Sequence, residues 1–335
     1  MIKVAINGFG RIGRIAFREM ITGRDFDIVA INDLTDAEEL CHLVKYDTVH
    51  RSFHEDAITF LNDEIIVANK KRIKVFSEKD PSNLPWKALN VDLVLDCTGK
   101  FKNYEDAYKH IEAGAKKVLL SYPGKGDMKT IVYGVNENTL DGSEFIVSAS
   151  SCTTNCLAPI LKVINDNFGI EKGFMTTIHA ITNDQVTLDI NHSKGIYARR
   201  GRASSQNIIP TSTGAASSIG LVIPELKGRM DGISYRVPVP DGSLIDVVLE
   251  LKKDTTIEEV NNTFKNNQND ALKYTEDPVV SSDIIGKRYG GLVDGLLTNL
   301  VEVDGKKLFK IAGWYDNELG YTAQMLRTAK SMFKN

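Results

Sequence analysis

The sequence lacks the features that mark several large classes of protein. No stretch approaches the ~18 consecutive apolar residues that a transmembrane helix needs. Cysteine is scarce, and four in 335 residues do not resemble a disulfide framework. Neither sign of charge is in excess, because 41 Lys and Arg face 44 Asp and Glu and leave a net charge of -3. We therefore expect no membrane partner, and no nucleic acid as the main partner.

The amino-terminal residues, MIKVAINGFG, also lack a basic flank before an apolar run and a cleavage site, so we predict no signal peptide. We accordingly expect a cytoplasmic, reducing compartment, in which a disulfide role is not expected. At about 150 residues per domain, the length suggests two domains. The composition, 42% hydrophobic and 25% charged, is typical of a globular protein with an ample core.

A glycine-rich segment follows the first predicted strand directly. Ile2–Ile6 is that strand, Gly8–Gly13 (GFGRIG) leads into helical apolar spacing, and residues 27–32 (DIVAIN) predict a second strand that ends just before Asp33. The glycines permit a tight turn and close approach to a pyrophosphate at the helix N-terminus, and the acid can accept hydrogen bonds from ribose hydroxyls. A carboxylate at Asp33 repels a ribose phosphate, so the sequence predicts NAD rather than NADP.

Strands and helices continue to alternate through the first half. Val91–Asp96 and Lys117–Ser121 are predicted strands, and Tyr104–Ala113 is a predicted helix. Ligands of open parallel sheets lie at the carboxyl ends of strands, which places Thr98, Gly99 and Ser121 near a cofactor crevice, although each taken alone fits an ordinary turn residue equally well. We therefore predict an α/β fold with a Rossmann-type doubly wound parallel sheet.

Two cysteines stand four residues apart in SASSCTTNCLAP, residues 148–159. Cys152 follows a predicted strand, Glu144–Ala149, and falls in the first turn of a helix, whose positive end favours a thiolate. Cys156 lies one turn later beside the apolar face, which favours burial. Two cysteines make a poor metal site because structural zinc needs four ligands, so we predict no metal. His50 and His54 also lack a third ligand nearby in sequence.

A histidine on a later strand gives Cys152 a candidate partner. His179 ends the apolar and threonine-rich run 176–179, and an imidazole can accept a thiol proton and later return it. From the residues alone, a structural role for His179 is the default interpretation. A nicotinamide cofactor with an activated thiol indicates oxidation of an aldehyde through an enzyme-bound thioester, since alcohol dehydrogenation needs no such cysteine.

The second half predicts a different sheet. Extended runs at Ile233–Leu251 and Leu296–Trp314 indicate a mostly antiparallel sheet, with Val303–Lys306 as a hairpin turn. Thr256–Asn266 and Asn317–Lys334 are predicted helices. This pattern predicts a second, α+β catalytic domain.

The motifs together resemble phosphorylating glyceraldehyde-3-phosphate dehydrogenases of the bacterial, NAD-dependent type. The matching segments span nearly the whole chain and are NGFGRIGR (7–14), NDLTD (32–36), KYDTVH (45–50), SASSCTTNCLAP (148–159), TNDQ (182–185), IIPTSTGAA (208–216), PELKGRMDG (224–232), RVPVPDGS (236–243) and WYDNELGY (314–321). The resemblance implies an NAD-binding domain at 1–151, a catalytic domain at 152–316, and a terminal helix at 317–335 that packs back on the first domain.

The resemblance also implies roles for individual residues. Cys152 corresponds to the nucleophile, His179 to its activator and Cys156 to a non-catalytic companion, and His179 with the Cys152 N–H stabilises the adduct oxygen. The residues implied to bind the substrate phosphate are Thr182, Arg200 and Arg236, and those implied to bind the second phosphate are Ser151, Thr153, Thr213 and Gly214. Those implied to bind NAD are Gly8, Gly10, Arg11, Ile12, Gly13, Asp33, Lys79, Ser121 and Asn317, of which Asn317 holds the nicotinamide carboxamide.

The implied activity is NAD-dependent oxidation and phosphorylation of glyceraldehyde 3-phosphate to 1,3-bisphosphoglycerate in glycolysis, by a homotetramer that uses inorganic phosphate. One alternative is an erythrose-4-phosphate dehydrogenase that releases the acyl group to water, and another is a non-catalytic NAD- or RNA-binding protein. The chain departs from the family at Arg51, where glycine is usual, at Tyr122, where alanine is usual, and at Asn191, where proline is common. It also carries a few additional residues between His192 and Arg199.

Overall fold

The computed structural model describes residues 1–68, 71–192 and 194–333. The chain divides into two units. The first comprises Met1–Ile131, Glu137–Ser151 and the chain from Met325 onward, and the second comprises Val132–Asn136 and Cys152–Gln324. Within the described ranges, no helix has the length and apolar character needed to cross a membrane.

The first unit contains a nine-strand sheet in its described residues. Its strands are β1 (Ile2–Asn7), β2 (Phe26–Asn32), β3 (Ile58–Leu61), β4 (Glu64–Val67), β5 (Lys71–Phe76), β6 (Leu93–Asp96), β7 (Lys117–Leu120), β8 (Lys129–Thr130) and β9 (Ile146–Ser148). They lie in the order β3-β4-β5-β2-β1-β6-β7-β9-β8. The strands from β5 to β8 pair in parallel, and β3 and β4 form an antiparallel extension. The parallel sheet confirms the predicted Rossmann-type fold.

The helices of this unit connect the parallel strands. They are α1 (Arg11–Thr22), α2 (Ala37–Lys45), α3 (Trp86–Leu89) and α4 (Tyr104–Glu112), with short 3-10 turns at Pro81–Asn83 and Glu137–Thr139. Val4, Ala5 and Ile6 of β1 are fully buried, as expected for a strand covered on both faces.

The chain departs from β1 toward β2 on one side, and the later strand β6 lies on the other. The carboxyl ends of these three strands carry Asn7, Asn32 and Asp96 side by side. Their side chains are joined by hydrogen bonds from Asn32 Nδ2 to Asn7 Oδ1 (2.7 Å) and from Asn7 Nδ2 to Asp96 Oδ2 (3.0 Å). The strand order thus reverses beside β1, which is where open α/β sheets bind dinucleotides.

The second unit contains a seven-strand sheet in its described residues. Its helices and strands are α5 (Cys152–Phe168), β10 (Ile170–His179), β11 (Ile209–Ser212), α6 (Ile219–Val222), β12 (Met230–Arg236), β13 (Ser243–Leu251), α7 (Ile257–Asn266), β14 (Leu272–Thr275), α8 (Ser281–Ile284), β15 (Gly291–Val303), β16 (Lys306–Tyr315) and α9 (Leu319–Ser331), the last of which continues into the first unit. The strand order is β11-β12-β10-β13-β16-β15-β14, and short 3-10 turns lie at Gly195–Tyr197, Arg199–Gly201 and Pro224–Leu226.

Only the pairs β10/β12 and β14/β15 are parallel in this sheet, which confirms the predicted, mostly antiparallel arrangement for the described part of the chain. The predicted hairpin turn joins β15 to β16. Asp304 (φ 51°) and Gly305 (φ 71°) both adopt left-handed conformations there, as a two-residue type I′ turn requires.

Several predicted elements are longer than the observed ones, including the strand predicted at Val91–Asp96, which is Leu93–Asp96. The strand predicted at Glu144–Ala149 covers only Ile146–Ser148, and the helix predicted at Asn317–Lys334 is Leu319–Ser331, with Lys334 outside the described residues. The helix starts late because the Asp316 carboxylate accepts the backbone N–H groups of Glu318 (2.9 Å) and Leu319 (2.7 Å). Asp316 therefore acts as the N-terminal cap and leaves Asn317 in the turn before the helix.

Arg51 adopts a left-handed backbone conformation, with φ 62°. A side chain in this conformation is strained, whereas glycine is not. We expect Arg51→Gly to raise the free energy of unfolding by about 0.5–1 kcal/mol, the relieved strain less the added flexibility of the unfolded chain. Urea unfolding checks this. Arg51→Ala removes the same exposed charge but keeps Cβ, so an equal gain in that control would assign the effect to charge and contradict the strain argument.

Candidate active site

Cys152 is the first residue of α5, and its thiol faces the histidine that ends β10. The distance from Cys152 Sγ to His179 Nε2 is 3.4 Å. His179 is 3% exposed, and its ring packs edge-on against Tyr315 with 5.8 Å between ring centres. The structure therefore brings together the two residues that the sequence could only nominate separately, within reach of a proton transfer.

The other imidazole nitrogen identifies the tautomer. His179 Nδ1 lies 2.7 Å from the carbonyl oxygen of Ala180, and a carbonyl oxygen can only accept. The proton of the neutral ring is therefore on Nδ1, and Nε2 presents a lone pair toward Cys152. A guanidinium nitrogen of Arg236 also lies 3.0 Å from Nδ1, but it can only donate, so with the proton on Nδ1 its hydrogen bond goes to Ala180 O at 3.1 Å. This arrangement suits His179 as the acceptor of the thiol proton.

Burial, together with the positive charges of Arg236 and Arg200, lowers the pKa of His179 to about 3, against the opposing effect of its bond to Ala180. The ring is therefore neutral at any pH near 7. Burial also raises the pKa of the Cys152 thiol, although Arg236, Thr153 and the backbone N–H groups at the start of α5 oppose the rise. The backbone N–H groups at the helix start favour the thiolate, as expected, but the loss of hydration on burial outweighs them.

Three of the predicted anion-binding residues form one group beside this pair. An Arg236 guanidinium nitrogen donates to Thr182 Oγ1 at 2.7 Å, and burial first, then the charge of Arg236, lowers the pKa of Arg200. Arg200 also donates to Thr211 Oγ1 at 3.0 Å. Two guanidinium groups therefore lie close together beside a threonine hydroxyl, an arrangement that attracts a phosphate.

Part of this cationic group is already neutralised by the protein. The Asp184 carboxylate contacts both the Arg200 guanidinium and the Thr182 hydroxyl. Among the described residues, however, no carboxylate pairs with Arg236, and its buried Nε has no hydrogen-bond acceptor. A buried donor without a partner is costly in a folded protein. Arg236 is therefore the cation of this group that most needs an anionic ligand.

The residues predicted to bind a second phosphate lie on both sides of the start of α5. Thr153 Oγ1 is 3.0 Å from Tyr315 Oη, and Thr154 Oγ1 is 3.3 Å from Ser218 Oγ. The second contact places the turn that carries Thr213 and Gly214 beside the first turn of α5. A Cβ at Gly214 would meet no atom within 4 Å, so this turn has open space next to it. Ser151 precedes Cys152 in the chain and belongs to the first unit.

The nicotinamide-binding candidate Asn317 is 5% exposed and lies in the turn between β16 and α9. Its Oδ1 is 2.6 Å from the hydroxyl of Ser243, which also accepts the Ala180 N–H at 3.0 Å. Ser243 and Tyr315 are residues that the sequence argument did not single out. Both lie inside quoted family motifs, but nothing in their local sequence indicates their partners.

The glycine-rich loop of the first unit is shaped by close contacts. A Cβ at Gly8, where φ is 87°, would lie 2.8 Å from the Thr98 backbone, and one at Gly13 would lie 2.3 Å from Gly8 O. A Cβ at Gly10 would instead meet nothing within 4 Å. Gly10 is the N-cap of α1, with no side-chain cap and no acid in the first turn. Ile12 follows in that turn, so open space adjoins uncapped helix N–H groups, which fits a pyrophosphate.

Asp33 and Arg11 flank this loop. The Asp33 carboxylate accepts the backbone N–H of Phe9 at 2.7 Å and of Thr35 at 3.1 Å, so it fixes the loop as well as carrying charge. The Arg11 guanidinium pairs with Asp47 at 2.8 Å. Although burial opposes it, this pairing holds the pKa of Asp47 well below its usual range. With its side chain engaged, Arg11 can offer a pyrophosphate its backbone N–H.

Two remaining candidates lie after strands of the same sheet. Lys79 is exposed beyond β5, and Ser121 follows β7 with its N–H bonded to Asp96 O at 2.8 Å. Cys97 is nearby in sequence to Thr98, and burial raises its pKa to about 12. A raised pKa of this size keeps the Cys97 thiol protonated and unreactive near pH 7. All four cysteines are free.

Comparison with known proteins places two segments of the chain in one family. Residues 2–104 match the family model described as glyceraldehyde 3-phosphate dehydrogenase, NAD binding domain, and residues 151–317 match the corresponding C-terminal domain. The glyceraldehyde-3-phosphate dehydrogenase of Clostridium pasteurianum is 54% identical over 334 residues, which cover 100% of this chain and 99% of the relative. That of Clostridium acetobutylicum is 54% identical over 328 residues (98% and 97%), and that of Streptococcus pyogenes is 50% identical over 335 residues (100% and 99%).

Proposed function

The chain belongs to the glyceraldehyde-3-phosphate dehydrogenase family, and from this premise we propose that it oxidises glyceraldehyde 3-phosphate with NAD and phosphorylates the product to 1,3-bisphosphoglycerate. The observation that carries the proposal is the Cys152–His179 pair, with Sγ and Nε2 at 3.4 Å, beside Arg236. We assign NAD binding to residues 1–151 and catalysis to residues 152–316, and the packing of residues 317–335 on the first of these stays a prediction.

In the first half of the reaction, Cys152 attacks the aldehyde carbon. A sulfur–carbon bond forms while the thiol proton passes to His179 Nε2, which is neutral and faces the sulfur. The aldehyde oxygen becomes negatively charged and is stabilised by the Cys152 N–H and by the proton now on Nε2. Bound NAD supplies the hydride acceptor that converts this adduct to a thioester. Arg236, Arg200 and Thr182 hold the substrate phosphate throughout.

In the second half, inorganic phosphate attacks the acyl carbon and the sulfur–carbon bond breaks. The leaving sulfur takes back a proton, which His179 can return. We assign the incoming phosphate to the hydroxyl and backbone N–H groups of Ser151, Thr153, Thr213 and Gly214. The open space at Gly214 supports this assignment.

The residues of the first unit fit NAD. The uncapped start of α1 and the space at Gly10 suit the pyrophosphate. The Asp33 carboxylate keeps further lone pairs that can accept hydrogen bonds from ribose hydroxyls. Lys79 and Ser121 are assigned to the adenosine half, and Asn317 to the carboxamide.

Cofactor choice is testable at Asp33, whose charge would repel the 2′-phosphate of NADP. We expect Asp33→Asn to lower the ratio of kcat/KM for NAD over NADP by about 10-fold or more, since two negative charges no longer oppose each other. Steady-state kinetics with both cofactors measures the ratio. Asp33→Gly should also lower the NAD-over-NADP ratio of kcat/KM. It should in addition weaken the binding of NAD, because the Phe9 N–H loses its acceptor. An unchanged ratio in both variants would place the discrimination elsewhere.

We further propose a homotetramer located in the cytoplasm. Several large apolar side chains of the second unit are exposed in the isolated chain, including Leu188, Ile190, Ile196, Tyr197 and Ile208. Ile196 and Tyr197 are 91% and 90% exposed, which monomeric proteins avoid over contiguous areas. They surround the segment that carries the additional residues, of which Ser193 lies outside the described ranges. Free Cys152, required by the chemistry, suits a reducing compartment.

The proposal is tested by following NADH formation from purified protein, NAD and glyceraldehyde 3-phosphate, with and without inorganic phosphate. We expect sustained turnover only with phosphate. Equal turnover without phosphate, and a higher rate on erythrose 4-phosphate, would instead support hydrolytic release of the acyl group. Absent turnover combined with sequence-selective RNA binding that NAD displaces would support a non-catalytic binding protein.

A further inference from the structure

We propose that Ser243 is a positioning residue for the cofactor: its hydroxyl fixes the side-chain amide of Asn317 so that Nδ2 is the group offered to the oxygen of the nicotinamide carboxamide. This inference rests on the proposed function, which takes NAD as the cofactor and Asn317 as its carboxamide contact. It concerns how that contact acquires its orientation and polarity.

The hydrogen bonds around Ser243 define which end of the amide faces it. Ala180 N–H donates to Ser243 Oγ at 3.0 Å, and Ser243 Oγ lies 2.6 Å from Asn317 Oδ1. A serine hydroxyl has one proton to donate, and 2.6 Å is a typical O–H···O length. If the amide were reversed, Nδ2 would donate to Oγ and the hydroxyl proton would have no acceptor within the described part of the chain. The amide oxygen therefore faces Ser243.

The position of both residues is fixed by the backbone around them. Ser243 is fully buried at the start of β13 and pairs with Tyr315 of β16. Tyr315 lies two residues before Asn317 in the chain. The carboxylate of Asp316 caps α9 and also accepts the Gly286 N–H at 2.7 Å. The turn that carries Asn317 is thus held on both sides, and the Ser243 hydroxyl supplies the remaining constraint on the amide itself.

This arrangement leaves a defined donor. Oδ1 is engaged by Ser243, while no described residue accepts a hydrogen bond from Asn317 Nδ2. A carboxamide offers an accepting oxygen and a donating nitrogen, and only its oxygen can pair with Nδ2. By engaging Oδ1, Ser243 therefore leaves Asn317 to recognise the carboxamide oxygen through Nδ2.

The matched control is Ser234, a serine on β12 of the same sheet, which β10 separates from β13. It is 3% exposed, and its hydroxyl has no hydrogen-bond partner among the described residues. Ser234→Ala therefore removes a buried hydroxyl from the same sheet without removing an interaction. Because Ala180 also bonds to His179, the rate of Cys152 alkylation by iodoacetamide serves as a second control for the thiol–imidazole pair.

The experiment measures dissociation constants by calorimetry for NAD, ADP-ribose, the 3-acetylpyridine analogue of NAD and its thionicotinamide analogue. The acetylpyridine analogue keeps the carbonyl oxygen and loses the amine, whereas the thionicotinamide analogue replaces that oxygen with sulfur, a weak acceptor. We expect the original protein to bind the acetylpyridine analogue within about 3-fold of NAD and to bind the sulfur analogue more weakly, as one retained or lost hydrogen bond implies.

In Ser243→Ala, we expect NAD to bind roughly 3- to 10-fold more weakly and the preference for oxygen over sulfur to disappear, while ADP-ribose binding stays unchanged. Ser234→Ala should bind all four ligands like the original protein. Asn317→Asp keeps an oxygen for Ser243 but replaces the Nδ2 donor, so it should weaken the binding of NAD and leave the binding of ADP-ribose unchanged. Adding Ser243→Ala to it should then cost little more, because the two residues act through one contact.

Three results would overturn the proposal: unchanged NAD affinity in Ser243→Ala, equal losses for NAD and ADP-ribose, or rejection of the acetylpyridine analogue by the original protein. The last would show that the amine is recognised. None of these measurements needs turnover. A protein that binds the four ligands as expected but forms no NADH from aldehyde and phosphate would contradict the proposed function alone.

Discussion

Cys152→Ser is expected to abolish NADH formation from glyceraldehyde 3-phosphate while leaving NAD affinity unchanged. A serine hydroxyl in the same place is a far weaker nucleophile and forms no thioester. The loss should exceed the roughly 10²- to 10⁴-fold expected from removal of an acid–base group, because the bond-forming atom itself is absent. Stopped-flow measurement of a single turnover and a calorimetric NAD titration check the two halves of this statement.

The matched control is Cys156→Ser, one helical turn away. Cys156 is fully buried, and its Sγ lies 3.8 Å from the Trp314 carbonyl oxygen, the polar group that a serine hydroxyl there would face. We expect this variant to keep turnover, and iodoacetamide to label Cys152 alone in the original protein. Turnover that survives in Cys152→Ser would exclude the thioester route. Loss of turnover in Cys156→Ser alone would move the nucleophile to that residue.

The position of this cysteine in the fold could be predicted because the signals are local. The strand, the small polar residues and the apolar helical spacing after Cys152 lie within about two helical turns of it, and the observed α5 begins at Cys152 itself. Its ionisation could not be predicted in the same way. The groups that determine the pKa of Cys152 include Arg236, 84 residues later, and the burial imposed by the second sheet.

Local signals likewise predicted parts of the fold, whereas features that depend on residues distant in sequence could not be predicted. Periodicity indicated the hairpin at Asp304–Gly305 and the parallel strands β1, β2, β6, β7 and β9 of the first unit, but not the parallel strands β5 and β8. It did not indicate β3 and β4, whose short strands have mixed exposure. The Ser243–Asn317 contact joins residues 74 positions apart. Only the register of β13 against β16 brings the two together.

The site combines a neutral thiol and a neutral imidazole with two guanidinium groups. Raising the thiol pKa and lowering the imidazole pKa both disfavour the ion pair before substrate binds. The guanidinium charges lower the imidazole pKa, and Arg236 also favours the thiolate. A bound substrate phosphate would offset those charges and raise the pKa of His179 toward its ordinary value. In the proposed mechanism, phosphate binding and the basicity of the His179 imidazole are therefore coupled through Arg236, which lies 3.0 Å from Nδ1.

His179→Asn is the second variant with a large expected effect. Asparagine preserves much of the shape but cannot accept the thiol proton, so we expect kcat to fall by roughly 10²- to 10⁴-fold. Alkylation of Cys152 in the original protein should rise with pH as the thiol ionises, with no inflection near 6.5, because His179 is already neutral there. An inflection near 6.5 that disappears in His179→Asn would contradict the neutral pair.

The burial of His179 as a neutral ring should also make the free energy of unfolding depend on pH. The folded pKa of His179, about 3, lies below the unfolded value near 6.5, so between these values the unfolded state binds the proton and the folded state does not. This favours unfolding as the pH falls from 6.5 toward 3, by about 2 kcal/mol at pH 5. His179→Asn removes the titrating group, so the loss of unfolding free energy between pH 7 and pH 5 should be smaller by that amount. His42→Asn, at an exposed histidine, should not reduce this loss. Urea unfolding at pH 7 and pH 5 measures the difference. An equal loss in His179→Asn and the original protein would show that His179 is not buried as a neutral ring.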